Sequence, residues 1–413
     1  MLRKPLLVVG ATILAVFGAA ATMGLMLEGE DVPSLREIAV PMVTYADWDP
    51  LARLLYTTQG GMLFVTSLED GQTRRLGFKA IIEQFVFVPQ RRKLPSGFFP
   101  TIGMQQRSSG LLRVVYQDPG KYATLVAELQ GPLPQVVACA ALSPQASKIV
   151  LGTEYLAVFS SLPAKDFPPV LTLYRSTPQG ILFHRRVDSP EGSPVPLGWV
   201  GEGRFVVAHR SRQDRAGFPR LLVLEGQTGS LHPLELQRKA TYYDFARRVA
   251  PGVVALGFQE QEADWLGLWR IRWSPEPGRV ERIEQLGCFA GPAYPNTVAL
   301  SPQGKRLVYA TFHGLFLVEL DTKKKILMVP FRYVETPQEK QISDRYGPLA
   351  VAMIAMQEHF IFCRFLDESR LVCVRQDGQV ELWDVLRRKR LKRIDSLHRK
   401  LKALLKQALS QPK

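Results

Sequence analysis

The sequence predicts an all-β fold: one large, repeat-built β-domain framed by an apolar helix at the amino terminus and a basic helix at the carboxyl terminus. Three observations predict it. Short apolar strands separated by Gly, Pro, Asp and Ser turns recur through the body. The uncharged stretch near the start has the length of a bilayer-spanning helix. Positive charge is concentrated at the end. With 413 residues, 46% of them apolar and 22% charged, the chain can bury a sizeable core, and all-β domains reach this length without dividing.

From Leu6 to Leu27 no charged residue occurs. As a helix that stretch would run about 33 Å, matching a hydrocarbon core of roughly 30 Å. Its apolar side chains are Leu6, Leu7, Val8, Val9, Ile13, Leu14, Val16, Phe17, Leu25 and Leu27. A cleaved signal peptide is the competing reading, with Leu6 to Phe17 as its core and Ala19-Ala20-Ala21 as the small-residue cleavage site. The retained anchor is preferred because the apolar run continues through Met23, Leu25, Met26 and Leu27. Arg3 and Lys4 precede the stretch, and Glu28, Glu30 and Asp31 follow it. The amino terminus is therefore expected inside, with the rest on the exported, periplasmic side of the cytoplasmic membrane. The expected organisation is an anchor (or signal peptide) over 1–27, a linker over 28–40, a β-domain over 41–395 and a basic amphipathic helix over 396–413.

One pattern recurs through the β-domain: a strand, a Ser-Pro or Asp-Pro turn, a second strand, a Gly turn and a third strand. It is clearest from Val298 to Leu327, from Cys363 to Ile394 and from Ala46 to Leu76, and a further copy begins at Ala141. Weaker units run from Gln84 to Leu129, from Pro196 to Leu236 and from Tyr242 to Ile283, making seven. Divided over Pro41 to Asp395, seven units take about 51 residues each and eight would take about 44, against the usual 40 to 45. Longer loops in the second, third and fourth units account for the excess.

These units resemble the WD-repeat family through Ser301-Pro302-Gln303-Gly304 with Leu320-Asp321, and through Asp377-Gly378 with Trp383-Asp384. The resemblance implies a single β-propeller with blades of four antiparallel strands, and the count of units makes seven blades the expected number. That family would place a Gly-His dipeptide about nine residues before the central strand phenylalanine. Here Met356 holds that place ahead of Phe365, and His359 comes three residues late. The looser bacterial propellers that resemble TolB are as close a comparison.

Chemistry-bearing motifs are absent from the sequence. The six histidines, at positions 184, 209, 232, 313, 359 and 398, have no metal-ligand spacing. No GxSxG elbow, phosphate-binding loop or dinucleotide fingerprint occurs. No catalytic, cofactor or metal residue is assigned, and no cofactor is expected. Cys363 and Cys373 flank one turn, as two buried strand residues or, in an oxidising compartment, a disulfide.

Two features are candidates for contact. Trp265, Trp269 and Trp273 share one face of a long strand, either as blade packing or as an aromatic ridge for a partner. The net charge of +15 is concentrated in the tail: from Arg387 to Lys413, eleven basic residues face one acid, Asp395. Glu381 to Val385 reads as the third strand of the last blade, and Arg390 to Ile394 as its solvent-facing outer strand. Beyond a capping Asp395, the amphipathic helix presents Arg399, Lys400, Lys402 and Lys406 for its own domain, an acidic partner or an anionic membrane. A nucleic-acid groove is not indicated, since the remainder is only mildly basic. The expected function is a membrane-anchored, exported, non-enzymatic interaction scaffold or accessory subunit of a multi-subunit membrane complex. An exported propeller enzyme or small-ligand binder, with its site in the central channel, is the alternative.

Overall fold

The computed structural model describes residues 43–410 apart from 60–61, 77–100, 109–110, 119–122, 131–134, 143–145, 161–168, 178–179, 188–193, 210–217, 237, 239, 275–278, 292 and 332–354. The described strands form seven four-stranded antiparallel sheets. Blade 1 holds β1 (Tyr45–Asp49), β2 (Leu54–Gln59), β3 (Met62–Ser67) and β4 (Thr73–Leu76). Blade 2 holds β5 (Thr101–Ser108), β6 (Leu111–Asp118), β7 (Ala123–Gln130) and β8 (Gln135–Leu142). Blade 3 holds β9 (Lys148–Leu151), β10 (Tyr155–Ser160), β11 (Val170–Thr177) and β12 (Gly180–Val187). Blade 4 holds β13 (Val195–Gly201), β14 (Arg204–His209), β15 (Arg220–Glu225) and β16 (Leu231–Pro233). Blade 5 holds β17 (Tyr242–Ala250), β18 (Val253–Glu260), β19 (Ala263–Trp273) and β20 (Val280–Ala290). Blade 6 holds β21 (Ala299–Leu300), β22 (Arg306–Thr311), β23 (Gly314–Glu319) and β24 (Lys324–Pro330). Blade 7 holds β25 (Phe360–Phe365), β26 (Arg370–Arg375), β27 (Val380–Asp384) and β28 (Lys389–Ile394), and a helix, α1 (Ser396–Ser410), follows. The first strands of successive blades are neighbours, and β1 lies beside β25, so the sheets close into a seven-bladed propeller.

Strand alternation sends side chains to both faces of every blade, so the core lies between blades. Tyr56 and Leu63 of blade 1 pack with Leu112, Val114 and Tyr116 of blade 2. Blades 4 and 5 approach most tightly at Gly198, where a Cβ would lie 1.6 Å from the Ala246 carbonyl oxygen. Only glycine leaves that gap open. Ion pairs recur between second and third strands: Arg113 with Glu128 at 2.6 Å, Arg204 with Glu225 at 2.9 Å and Arg306 with Glu319 at 3.3 Å, each pair directly opposite in register. Arg113 is fully buried and also donates to the Gly152 carbonyl of blade 3 at 2.7 Å, joining two blades. A charge so deeply buried is tolerable only because it is paired and hydrogen-bonded.

Five of the seven units match their blades closely, and two do not. The second blade runs from Thr101 to Leu142 instead of Gln84 to Leu129, and Gln84 to Gln90 lies outside the described residues. Ala141, expected to open the next unit, lies within the end of β8, which closes at Leu142, and blade 3 begins at Lys148. The physical reason is that QVVACAAL, an apolar run leading into a Ser-Pro turn, is equally compatible with an outer and an inner strand. Residues 6–27 lie outside the described residues, and among the described ones no helix is long and apolar enough to cross a membrane.

Candidate interaction face

An antiparallel four-stranded blade places the start of its first strand, its second turn and the end of its fourth strand on one face. The chain enters the propeller at this proximal face through Val43, and α1 follows the last strand there. Val43, Phe64, Leu397 and Leu401 form one buried cluster, with Met62, Ile361 and Leu404 packed against it. The Val43 N–H donates to the Gln376 carbonyl at 2.7 Å. Thr73 and Ser396 share a hydroxyl hydrogen bond of 2.6 Å, and His398 Nδ1 lies 2.8 Å from the Asp377 carbonyl oxygen. Leu397 and Leu401 also close over Gly378, whose φ of +85° suits the turn between β26 and β27. The helix thus spans both ends of the ring. Asp395 does not cap it by side chain: its carboxylate accepts from Arg393 Nε at 2.7 Å, while its carbonyl accepts from the Arg399 N–H at 2.9 Å.

With its apolar stripe committed to the propeller, α1 turns Arg399, Lys400 and Lys402 to solvent, and Lys406 lies further along it. Exposed aromatics share this face from other blades: Phe218 before β15, Tyr242 at the start of β17 and Phe312 in the turn of blade 6, each about half exposed at 53%, 55% and 50%. Phe312 is backed by a ring cluster. Tyr294 lies 5.3 Å from it, His359 lies 6.0 Å from it, and Phe331 stacks on His359 at 4.7 Å. The Tyr294 hydroxyl and His359 Nδ1 are hydrogen-bonded at 3.1 Å. Burial, aided by the Arg375 charge, pushes the His359 pKa down to about 4, so the imidazole is neutral at pH 7. This histidine packs among rings and is not paired with an aspartate.

The tryptophan stripe lies elsewhere. Trp269 is buried in the core between blades 4 and 5, among Val223, Tyr243, Phe258 and Ile271, and Trp265 and Trp273 pack partly buried against the same cluster. Arg204 lies over the Trp273 ring at 5.1 Å. An exposed aromatic ridge is therefore corrected to interblade packing: the face the three share is turned toward blade 4, whose apolar strands cover it.

The outer strand β28 is exposed up to Ile394, and some of its charge is used locally. Glu381, fully buried in β27, accepts from Arg375 Nε and Arg390 Nη1, each at 3.0 Å, and from Trp383 Nε1 at 2.9 Å. Lys392 reaches the Glu69 carbonyl of blade 1 at 3.3 Å. The basic run beside the Trp-Asp strand thus neutralises a buried carboxylate and stitches the ring. Sequence reasoning missed Glu381, although its place in a strand otherwise apolar was the available signal. Cys363 and Cys373 face each other across β25 and β26 as buried free thiols, hydrogen-bonded with their sulfurs 3.1 Å apart and not joined by a disulfide.

Around the central channel, the first strands carry Asp47, Lys148, Asp244, Arg247 and Arg364. Lys148 Nζ reaches the Asp244 carbonyl at 3.2 Å, while Arg247 and Arg364 converge on Asn296, at 2.5 Å to its Oδ1 and 3.3 Å to its carbonyl. Burial lowers the Lys148 pKa and raises that of Asp244, each opposed by the other's charge. Among the described residues no cluster of His, Cys, Asp or Glu could hold a metal ion.

No protein-family model matches the chain, and none of the curated proteins does. Among solved structures it is similar to the β-propeller domain of Cps50 (Swd1) from Myceliophteria thermophila, with a TM-score of 0.54 at 10% identity over 84% of this chain and 97% of that one. Sqt1 from Saccharomyces cerevisiae aligns at a TM-score of 0.49 and 11% identity over 86% of each chain. At such identity the likeness to the Swd1 propeller establishes the fold alone.

Proposed function

We propose that this protein is a non-enzymatic interaction scaffold, held at the outer face of the cytoplasmic membrane by its 6–27 stretch and serving as an accessory subunit of a membrane complex. The observation that carries the reading is that Val43, the basic side of α1 and the exposed Phe218, Tyr242 and Phe312 all belong to one face. A linker from Glu28 to Met42 can extend at most about 50 Å, so an anchor ahead of it keeps this face near the bilayer. Basic residues on the helix then meet anionic headgroups, and the aromatics suit an interface with lipid or with a membrane-bound subunit. The test is to fractionate cells making the native chain, determine the mature N-terminus and identify what copurifies in mild detergent. An intact N-terminus in the membrane fraction with stoichiometric partners is the expected result. A soluble chain beginning near Thr22 and migrating alone would overturn it.

The second reading, an exported enzyme or small-ligand binder, draws on Lys148, Asp244, Arg247 and Arg364 around the channel. Against it stand the hydrogen bonds that already engage Lys148, Arg247 and Arg364. If Arg364→Gln left binding of every anionic metabolite in a screen unchanged, this alternative would lose its support.

A further inference from the structure

We propose that a cleft at the distal rim of blade 5, formed by Arg270, Arg272 and Arg282, binds a dianionic phosphate group from a soluble phosphate or phosphate monoester. The cleft has a volume of about 190 Å³ and is lined by those three arginines and Glu284. Arg270 is held by Glu284 at 3.2 Å. Arg272 and Arg282 stand directly opposite each other on β19 and β20, both exposed, with no acidic partner for either among the described residues. Like charges opposed across a strand pair destabilise a sheet, with Cβ atoms only about 5 Å apart. A built-in repulsion of this kind is relieved when an anion sits between the two guanidinium groups.

The internal repeats make the departure visible. At the residue facing the start of the second strand, blade 4 has Glu225 opposite Arg204, blade 6 has Glu319 opposite Arg306 and blade 7 has Asp384 opposite Arg370. Blade 5 has Arg270 opposite Val253. Blade 3 also has an arginine there, Arg175, but it lies over the ring of Tyr155, the residue it faces, at 5.9 Å. Blade 5 thus carries an arginine where three other blades carry an acid, sets it opposite Val253 and not a ring as in blade 3, and adds Arg282 from its fourth strand.

Among the described lining residues, three arginines and one glutamate give a net charge of +2, which matches a dianion. Each guanidinium offers a planar fork of N–H donors. The two oxygens of a carboxylate satisfy one fork, whereas the three terminal oxygens of a phosphate monoester can accept from both Arg272 and Arg282. The cleft lies at the end of the third strand and the start of the fourth, on the face opposite α1. A lipid headgroup is therefore the less favoured source; only that choice of source rests on the membrane reading above, and the site itself does not.

The experiment uses the full chain in mild detergent, with thermal melting and calorimetric titration of sodium phosphate against sodium chloride at constant ionic strength. The expected result is a phosphate-specific rise in melting midpoint of about 2–4 °C. Arg272→Gln combined with Arg282→Gln should weaken phosphate binding at least about tenfold, yet melt without phosphate at or above the parent temperature, because the opposed charges are gone. Glu284→Gln, which releases Arg270, should tighten binding. Equal responses to phosphate and chloride, or parent-like binding by the double variant, would overturn the site. Displacement of phosphate by glycerol phosphate supports the soluble source, and binding confined to short-chain phosphatidic acid below its micellar concentration would overturn that assignment.

Discussion

The boundary between blades 4 and 5 and the seam between blades 7 and 1 are both interblade cores, and they are held together in different ways. Blades 4 and 5 are consecutive in the chain. Their first strands touch backbone to backbone at Gly198 and Ala246, and Trp269 fills the space outward between Val223 and Phe258. The seam joins residues more than 300 positions apart, as Thr73 and Ser396 show, so no short connection keeps its two sides together. Closing so large a loop carries an entropic cost that neighbouring blades do not meet. The chain answers with additional contacts: a helix laid over the joint, a backbone bond from Val43 to Gln376, and Lys392 reaching across to the Glu69 carbonyl. A propeller ring needs its extra fastening where the sequence is discontinuous.

The comparison is sharpest at α1. Leu397 and Leu401 are fully buried, so replacing both with alanine should cost roughly 4–8 kcal/mol from two large-to-small core changes, with protease cleavage appearing first at the seam. A urea midpoint unchanged from the parent would show that the ring closes without its helix. Trp269→Ala should cost about 3–5 kcal/mol and leave the seam protected in hydrogen exchange. If the seam opened equally, the two boundaries would be one cooperative unit.

A smaller effect separates the aromatic cluster beside the seam. His359 has a folded pKa pushed down to about 4, below the ordinary value near 6.5. The unfolded chain therefore takes up the proton first. Its contribution is fully present above pH 6.5 and is lost as the pH falls toward 4, on the order of 2 kcal/mol. His359→Phe should flatten that acid limb in denaturant titrations at pH 4.5 and 7. The smallest effect on stability is expected at Arg399, Lys400 and Lys402, which are exposed. Changing all three to glutamine should move the unfolding free energy by less than about 0.5 kcal/mol while weakening association with anionic vesicles by up to about 3 kcal/mol.

The last blade shows how much was legible. Its third strand and solvent-facing outer strand follow from local turns and alternation, and β27 and β28 fall where those cues place them. Glu381 was not legible as a hub because its two charged partners, Arg375 and Arg390, are brought to it by cross-strand register, while Trp383 joins from its own strand. The tryptophan stripe shows the same limit. A spacing of four places three rings on one face of β19, but whether blade 4 or solvent covers that face is a property of the ring.

The repeated strand-and-turn pattern, the strands of five of the seven blades and the basic outer edge were settled by local chemistry, because a period of two and Gly, Pro or Asp turns act over a few residues. Only the assembled ring decided that the chain enters beside α1, that Arg113 is buried against Glu128 and blade 3, and that Arg272 faces Arg282 across one rim. Those outcomes depend on ring closure, which joins residues far apart in the chain, and on the exact cross-strand register, and neither follows from strand period and turn residues alone.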